Sequence, residues 1–411
     1  MAVPHSDLIF DWNAARGAEL STGRRVLLND ETLRDGLQSP SVRDPEIEDK
    51  LEILHLMEAL GIDALDLGLP GAGPRARAHV ERLAREIVGQ RMKIGANCAA
   101  RTVEADITPI AEVTQRTGLE IAAATFLGSS QVRCFTEGWD LDFLLRTTER
   151  AVNYARSLGL PVTFVTEDTT RAHPDTIRQV YRCAVNCGAR AIVVTDTVGH
   201  ATPAGAANLV RFAREEIIQP AGGRIRLEWH GHRDRGLGLA NCLAALAAGA
   251  DCVHATALGI GERIGNAEMD LLLVNLQLLG VIDRDLSPLK RYCEKVAAAV
   301  GVPIPANYPV VGADAFRTAT GVHAAAIIKA FRKNDEMLAN TVYSGVPAHL
   351  FGLEQVIEIG PMSGHSNIQF WCEKRGVPFT KEVGERVFQR AKANNKILSE
   401  AEILEAIGAA R

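Results

Sequence analysis

Apolar and polar positions along the first two-thirds of the chain repeat at two spacings. Short runs rich in β-branched or apolar residues begin at Val26, Ala64, Lys93, Leu119, Val162, Ala191, Ile225 and Cys252, and a longer stretch with helical spacing follows each. Between Glu46 and Leu60, Ile47, Leu51, Leu54 and Met57 form one apolar stripe, of the kind that covers a sheet face. Gly61, Gly159, Gly188 and Gly249 end helical stretches just ahead of strands, as a left-handed cap allows. Eight such units in about 280 residues predict an α/β fold, a closed (β/α)8 TIM barrel over residues 25–288, preceded by an N-terminal extension over 1–24. A doubly wound open sheet is the alternative; its Gly-x-Gly-x-x-Gly signature after the first strand is absent.

Near Asp285 the alternation stops. Residues 289–411 read as a C-terminal helical appendage: Leu289–Val300, then Ala313–Phe331, a Gly-Pro-rich connection and two final helices. The last helix opens on the capping box Ser399-x-x-Glu402 ahead of Ile403, Leu404 and Ile407. This stretch is too short for a large regulatory domain, so none is expected.

Composition narrows the class. With 47% hydrophobic and 23% charged residues among 411, the chain can bury a substantial core and is not disordered. A formal charge of −5 gives no electrostatic reason for a nucleic-acid partner. No window nears ~18 uninterrupted apolar residues, so no membrane span is expected. The first thirteen residues have no basic region leading into an apolar run, so no secretory leader is expected. Cys183 and Cys187 lie four apart, one helical face rather than a Cys-x-x-Cys, and the eight cysteines read as reduced thiols of a cytoplasmic protein.

Chemistry in such a barrel sits where the strands end. Five predicted strand ends carry unusual polar residues: Asn29–Gly36, Thr166–Asp168, Thr195–Gly199, His230–Asp234 and Gly259–Asn266. His230 and His232 are two apart, so on a strand both imidazoles project to one face. Two imidazoles and a carboxylate from another strand end make a common divalent-metal site; the alternative is a pair of hydrogen-bonded barrel histidines. Asp35 is the natural third ligand, or else a helix cap or an ion-pair partner of Arg34.

Glu31-Thr32-Leu33-Arg34-Asp35-Gly36, His230-Gly231-His232 and the loop Gly259–Asn266 resemble the metal-dependent acyl-CoA condensing enzymes and lyases, a family that includes 2-isopropylmalate, homocitrate and citramalate synthases and 3-hydroxy-3-methylglutaryl-CoA lyase. Asp196–Gly199, Pro303–Asn307, Gly321-Val322-His323 and Ser363–Asn367 match further parts of the synthases in the right order. The resemblance implies that Asp35, His230 and His232 hold a divalent metal (Mg, Mn, Zn or Co), with Asn266 as a further ligand or behind the ligands. It sets Arg34 against a keto oxygen, Thr197 on a 2-oxo-acid carboxylate and Glu167 near the reacting carbons. His323 and Tyr343 match groups of the appendage that act in acid–base chemistry on the methyl group of acetyl-CoA, the implied co-substrate. The dull alternatives are an ion pair of Glu167 with Arg171, a structural carboxylate at Asp196 and a plain histidine at 323.

The expected reaction is therefore a Claisen-type condensation of acetyl-CoA, or another acyl-CoA, with a 2-oxo acid, 2-isopropylmalate synthase-like in amino-acid biosynthesis. Homocitrate or citramalate specificity is the nearer alternative, and a lyase or a non-catalytic metal-binding homologue the further one. The resemblance also implies a homodimer in which each appendage caps the partner barrel. Departures bear on specificity. Leu37 stands where synthases carry Glu, Ala124 where many isopropylmalate synthases carry His, and Val322 and Ala324 around His323 lean towards homocitrate synthases. Both Leu37 and Ala124 are expected to face the substrate. Arg133 lies one position from where homocitrate synthases place an arginine for a second carboxylate.

Overall fold

Eight strands alternate with helices and the sheet they form closes on itself. The computed structural model describes residues 8–13, 20 and 23–408; most of the extension expected over 1–24, and the last three residues of the appendage, lie outside the described residues. The strands are β1 (Leu27–Asp30), β2 (Ala64–Asp66), β3 (Gly95–Arg101), β4 (Ile121–Gly128), β5 (Val162–Glu167), β6 (Ala191–Asp196), β7 (Arg226–Gly231) and β8 (Cys252–Ala255). Each pairs in parallel with the next, and β1 pairs with β8 from Leu27↔Cys252 to Asp30↔Ala255, which completes a (β/α)8 barrel.

Alternate side chains along each strand face the helices or the barrel axis. Leu28, Leu65, Phe164, Ile192, Leu227 and Val253 belong to the helix-facing set and are fully buried, as are Ile53, Leu54, Leu83, Ile110 and Leu272 on the helices. Each such side chain contributes about 1.5–3 kcal/mol, so the layer between strands and helices carries the fold. Local chemistry sets the helix limits. Pro74, Pro174 and Pro203 open the helices Pro74–Gln90, Pro174–Asn186 and Pro203–Ala213, where a missing N–H costs nothing. The four glycines expected to end helical stretches all have positive φ, between +68° and +114°.

Two compact units divide the described residues, one within 13–303 and one of 304–408 with 8–12. The helix Leu289–Val300, grouped with the appendage on sequence grounds, falls in the barrel unit: the buried Tyr292 hydroxyl donates to Asp30 Oδ2 at 2.5 Å and lies 3.2 Å from Thr32 Oγ1. The second unit holds the helices Gly321–Arg332, Glu336–Thr341, His365–Lys374, Lys381–Lys392 and Glu400–Ile407, with Ile359, Ile368, Trp371, Val387 and Ile403 in one of its cores.

Two expectations fail in this unit. The helix expected from Ala313 begins only at Gly321, because Arg317–Thr318 pairs in parallel with Val356–Ile357 and the carbonyls of Phe316 and Thr318 accept from Val356 and Glu358. Strands of two residues leave no periodicity to read. After the Gly-Pro-rich connection three helices follow rather than two. The capping box is formed as expected: Glu402 N–H donates to Ser399 Oγ (3.3 Å) and Ser399 N–H to Glu402 Oε2 (2.7 Å). Among the described residues no helix is long and apolar enough to cross a membrane.

Candidate metal centre and active site

The loop after β1 folds around one carbonyl. Arg34 and Gly36 both donate their N–H to Glu31 O, at 3.1 and 2.9 Å, and Thr32 N–H donates to Asp30 Oδ1 at 2.8 Å. A single helical turn, Asp35–Gln38, follows and turns the Asp35 carboxylate inward, 1% exposed. At the end of β7, His232 donates its N–H to Asp196 O (3.1 Å) and bridges Asn266 in antiparallel fashion. That bridge depends on the eighth loop, where Gly265 has φ +98° and a Cβ would lie 1.8 Å from Gly259 O.

These loops bring Asp35, His230 and His232 together. Asp35 Oδ2 lies 3.3 Å from His230 Nε2 and 3.4 Å from His232 Nε2, and all three residues are under a tenth exposed. Asp35 Oδ2 and His232 Nδ1 are buried and make no well-formed hydrogen bond. Burial opposes ionisation of Asp35, but the Arg34 guanidinium and the two imidazoles hold its carboxyl well below the usual range. Burial, with His230, Arg263 and Arg34 adding and Asp35 opposing, pushes His232 down to about 4, leaving a neutral ring with a lone pair to offer. Asn266, bridged to His232 through the backbone, is buried and donates from Nδ2 to Ile260 O at 3.3 Å.

Arg34 is clamped beside this triad. Its Nε and Nη2 lie 2.8 and 2.5 Å from Glu31 Oε2, with Asp66 Oδ2 at 3.4 Å and Asp35 Oδ1 at 3.6 Å. Glu31 is backed by His254, whose Nδ1 lies 2.9 Å from Glu31 Oε1 and whose Nε2 lies 2.7 Å from Glu228 Oε2; Arg226 Nε donates to the other Glu228 oxygen at 2.5 Å. An imidazole with a carboxylate at each nitrogen is a donor twice over, hence a cation: burial works against it, yet contacts with Cys252, Glu228 and Glu31 raise His254 well above its ordinary value. The sequence patterns contain Glu31 but give it no role, and they do not single out Asp66, Glu228 or His254. The available signal was parity, since 226, 228, 230 and 232 share one face of a strand.

Thr197 and Glu167 line the same cavity, of about 580 Å³, together with Arg34 and the triad. Thr197 Oγ1 accepts from Asp168 N–H at 2.8 Å. Burial raises Glu167 above the usual carboxylate range, against the pull of Arg133. Arg171 pairs with Asp168 (2.7 Å) rather than with Glu167. Asp196 is spent structurally, accepting from Thr170 Oγ1 and the N–H groups of His200 and Ala201 at 2.8–3.0 Å. Arg263 braces the eighth loop against Asp234 (2.9 Å) and Thr197 O (2.5 Å).

Not every expected residue joins this group. Arg133 does not line the cavity: its Nη1 pairs with Glu137 Oε1 at 3.0 Å and its guanidinium lies over the Trp139 ring. Ala124 lines the cavity but Leu37 does not; the one-turn helix presents Gln38 there instead. His323 and Tyr343 belong to the second unit, where their rings stack with centroids 4.0 Å apart.

Comparison with known proteins agrees with this architecture. The family model described as HMGL-like matches residues 25–293. A homocitrate synthase (AksA) of Methanopyrus kandleri is 32% identical over 91% of this chain and 89% of its own length. A 2-isopropylmalate synthase of Pyrococcus abyssi is 31% identical over 90% of this chain and 74% of its own. The hydroxymethylglutaryl-CoA lyase of Pseudomonas aeruginosa superposes with a TM-score of 0.57 at 21% identity, covering 68% of this chain and 94% of that one, a likeness of fold. With the barrel, the strand-end triad and these matches in agreement, the chain belongs to the HMGL-like family.

Proposed function

We propose that this protein condenses acetyl-CoA with a 2-oxo acid, forming a bond from the thioester methyl carbon to the keto carbon and releasing coenzyme A as water hydrolyses the thioester. The observation that carries the reading is Asp35 Oδ2, buried without a well-formed hydrogen bond and facing two imidazole nitrogens at 3.3 and 3.4 Å. Ligands about 2.1 Å from one ion and at right angles to each other lie about 3 Å apart, so the donor set fits a divalent cation. Asp35, His230 and His232 would hold it, with Asn266 behind them. Such an ion supplies Lewis acidity to the keto group of a chelating 2-oxo acid.

The chain's own residues supply the rest. Arg34, fixed by Glu31, directs a guanidinium at the oxygen where negative charge develops. Thr197 Oγ1 accepts the Asp168 N–H and lies 3.2 Å from Thr195 Oγ1, so its proton reaches the substrate carboxylate by turning away from Thr195. Glu167, raised by burial, holds a proton near neutral pH more readily than an exposed carboxylate. His323, paired with Tyr343, takes the proton from the thioester methyl; in a homodimer this pair acts on the partner's barrel.

Thiol release from acetyl-CoA with a panel of 2-oxo acids and a divalent metal tests the reading. Release that requires both the metal and a 2-oxo acid is expected. Cleavage of a 3-hydroxyacyl-CoA instead would make the protein a lyase, and no turnover in either assay would make it a metal-binding homologue.

A further inference from the structure

The cavity does not stop at the triad. It continues down the barrel axis past Asn29 and Asn97 to Leu27, Ala64 and Gly95, the first residues of β1, β2 and β3. The interior of such a barrel is ordinarily filled by layers of Val, Ile and Leu. Here the two halves differ. Towards β6–β8 the interior is occupied by Val193, Glu228 and His254, all buried. Towards β2–β4 the lining includes the small residues Ala64, Gly95, Ala99, Ala122 and Ala124, beside Asp66, Asn97 and Phe126. On β4 the consequence is direct: the helix-facing Ile121, Ala123 and Thr125 are buried, while the inward Ala122, Ala124 and Phe126 keep partial exposure. They face open volume.

The charges around this volume are mutually engaged. Arg34 is held by Glu31, Arg226 by Glu228, and His254 by both glutamates. At the far end Arg25 and Arg190 face Asp63 (3.5 Å) and Glu120 (3.7 Å). Eight carboxylates and four guanidinium groups line the cavity, and each guanidinium already faces a carboxylate, so none is left over to receive a second carboxylate of a substrate. Asn97 Nδ2 donates to Asn29 Oδ1 (2.7 Å) and Asn29 Nδ2 to Glu31 Oε1 (3.0 Å), so these amides already have partners of their own.

We infer that the axial cavity receives the side chain of the 2-oxo acid, and that this side chain is long and uncharged rather than ending in a second carboxylate. The inference rests on the condensation proposed above and assigns its substrate class. The carboxylate and keto groups stay at the triad, Arg34 and Thr197; the chain runs inward along Ala99, Ala124 and Ala122.

The test is a series of unbranched 2-oxo acids from 2-oxobutanoate to 2-oxooctanoate beside 2-oxoglutarate and 2-oxoadipate, read as kcat/KM by thiol release. Each added methylene is expected to raise kcat/KM about three- to fourfold until the cavity is full, and the dicarboxylates to fall at least tenfold below neutral acids of equal length. Ala122→Leu, or Ala99→Val if the first variant does not fold, should shift the optimum to shorter acids. Preference for 2-oxoglutarate, or no dependence on length, overturns the inference. Should no 2-oxo acid release thiol, the condensation reading fails separately, and calorimetric titration of the same acids into metal-loaded protein still decides the cavity's preference: tighter binding of long neutral acids supports it, tighter binding of dicarboxylates or indifference to length refutes it.

Discussion

Arg34 Nε lies 2.8 Å from Glu31 Oε2, and that one carboxylate oxygen also holds Nη2 at 2.5 Å. A guanidinium gripped along one edge cannot swing, so its remaining N–H groups keep one direction relative to Asp35. Glu31 is in turn fixed by the His254 cation. Glu31→Gln keeps the shape and removes the charge. We expect kcat to fall about tenfold to hundredfold, with KM for the 2-oxo acid changed less than about threefold, because orientation matters most as charge develops. Unchanged kcat in a folded variant, judged by thermal melting, would reduce Glu31 to a structural anion.

Metal binding should depend on the triad. In wild-type protein a divalent cation at a hundred times its Kd stabilises the fold by about 2.7 kcal/mol, visible as a rise in Tm. Asp35→Ala and His232→Ala should abolish that rise and any calorimetric binding heat. Equal stabilisation of wild type and Asp35→Ala would contradict the assignment.

Asp30 predicts a pH dependence of stability. Burial, only partly offset by hydrogen bonds from Thr32 and Tyr292, pushes its carboxyl up to about 6, whereas an unfolded Asp titrates near ~3.9. The folded state therefore binds the extra proton between those values. Stability from this group is complete below the unfolded value and is lost as pH rises through about 6. The gap corresponds to about 3 kcal/mol, an upper figure. Asp30→Asn keeps the bond from Thr32 N–H, sets an amide donor against the Tyr292 oxygen in place of an acceptor, and removes the titration, so it should flatten the fall in urea-unfolding free energy between pH 4.5 and 7. An unaltered slope would show that other groups carry it.

Gly265 should tolerate no side chain. With φ +98° and a Cβ that would meet Gly259 O, Gly265→Ala must displace the loop that holds Asn266 against His232. We expect about 2–4 kcal/mol of destabilisation and weaker cation binding in calorimetry. A variant as stable as wild type would show that the loop has another conformation within reach.

The barrel was legible because helix-facing strand positions such as Leu28, Leu65 and Ile192 are apolar and recur at even spacing, with glycine caps marking four of the returns. His230 and His232 were legible as a pair because parity on a strand ties two side chains to one face. Glu228 and His254 were not, because polar residues in mid-strand carry no local mark of the partner they meet across the axis; that partnership is made by closure of the sheet. Arg133 misled for the converse reason: chain position brought it near the right loop, but Glu137, one helical turn on, had the stronger claim on its charge. The pairing of Arg317–Thr318 with Val356–Ile357 joins residues far apart in sequence, and nothing in either dipeptide announces it.

The inward alanines of β4 have a consequence for descent. Residues that keep the strands and helices together and residues that set what the interior admits are separate sets, interleaved along the same strands. A lineage can therefore retune its choice of molecule by single changes on the axial face, without first acquiring compensating stability elsewhere.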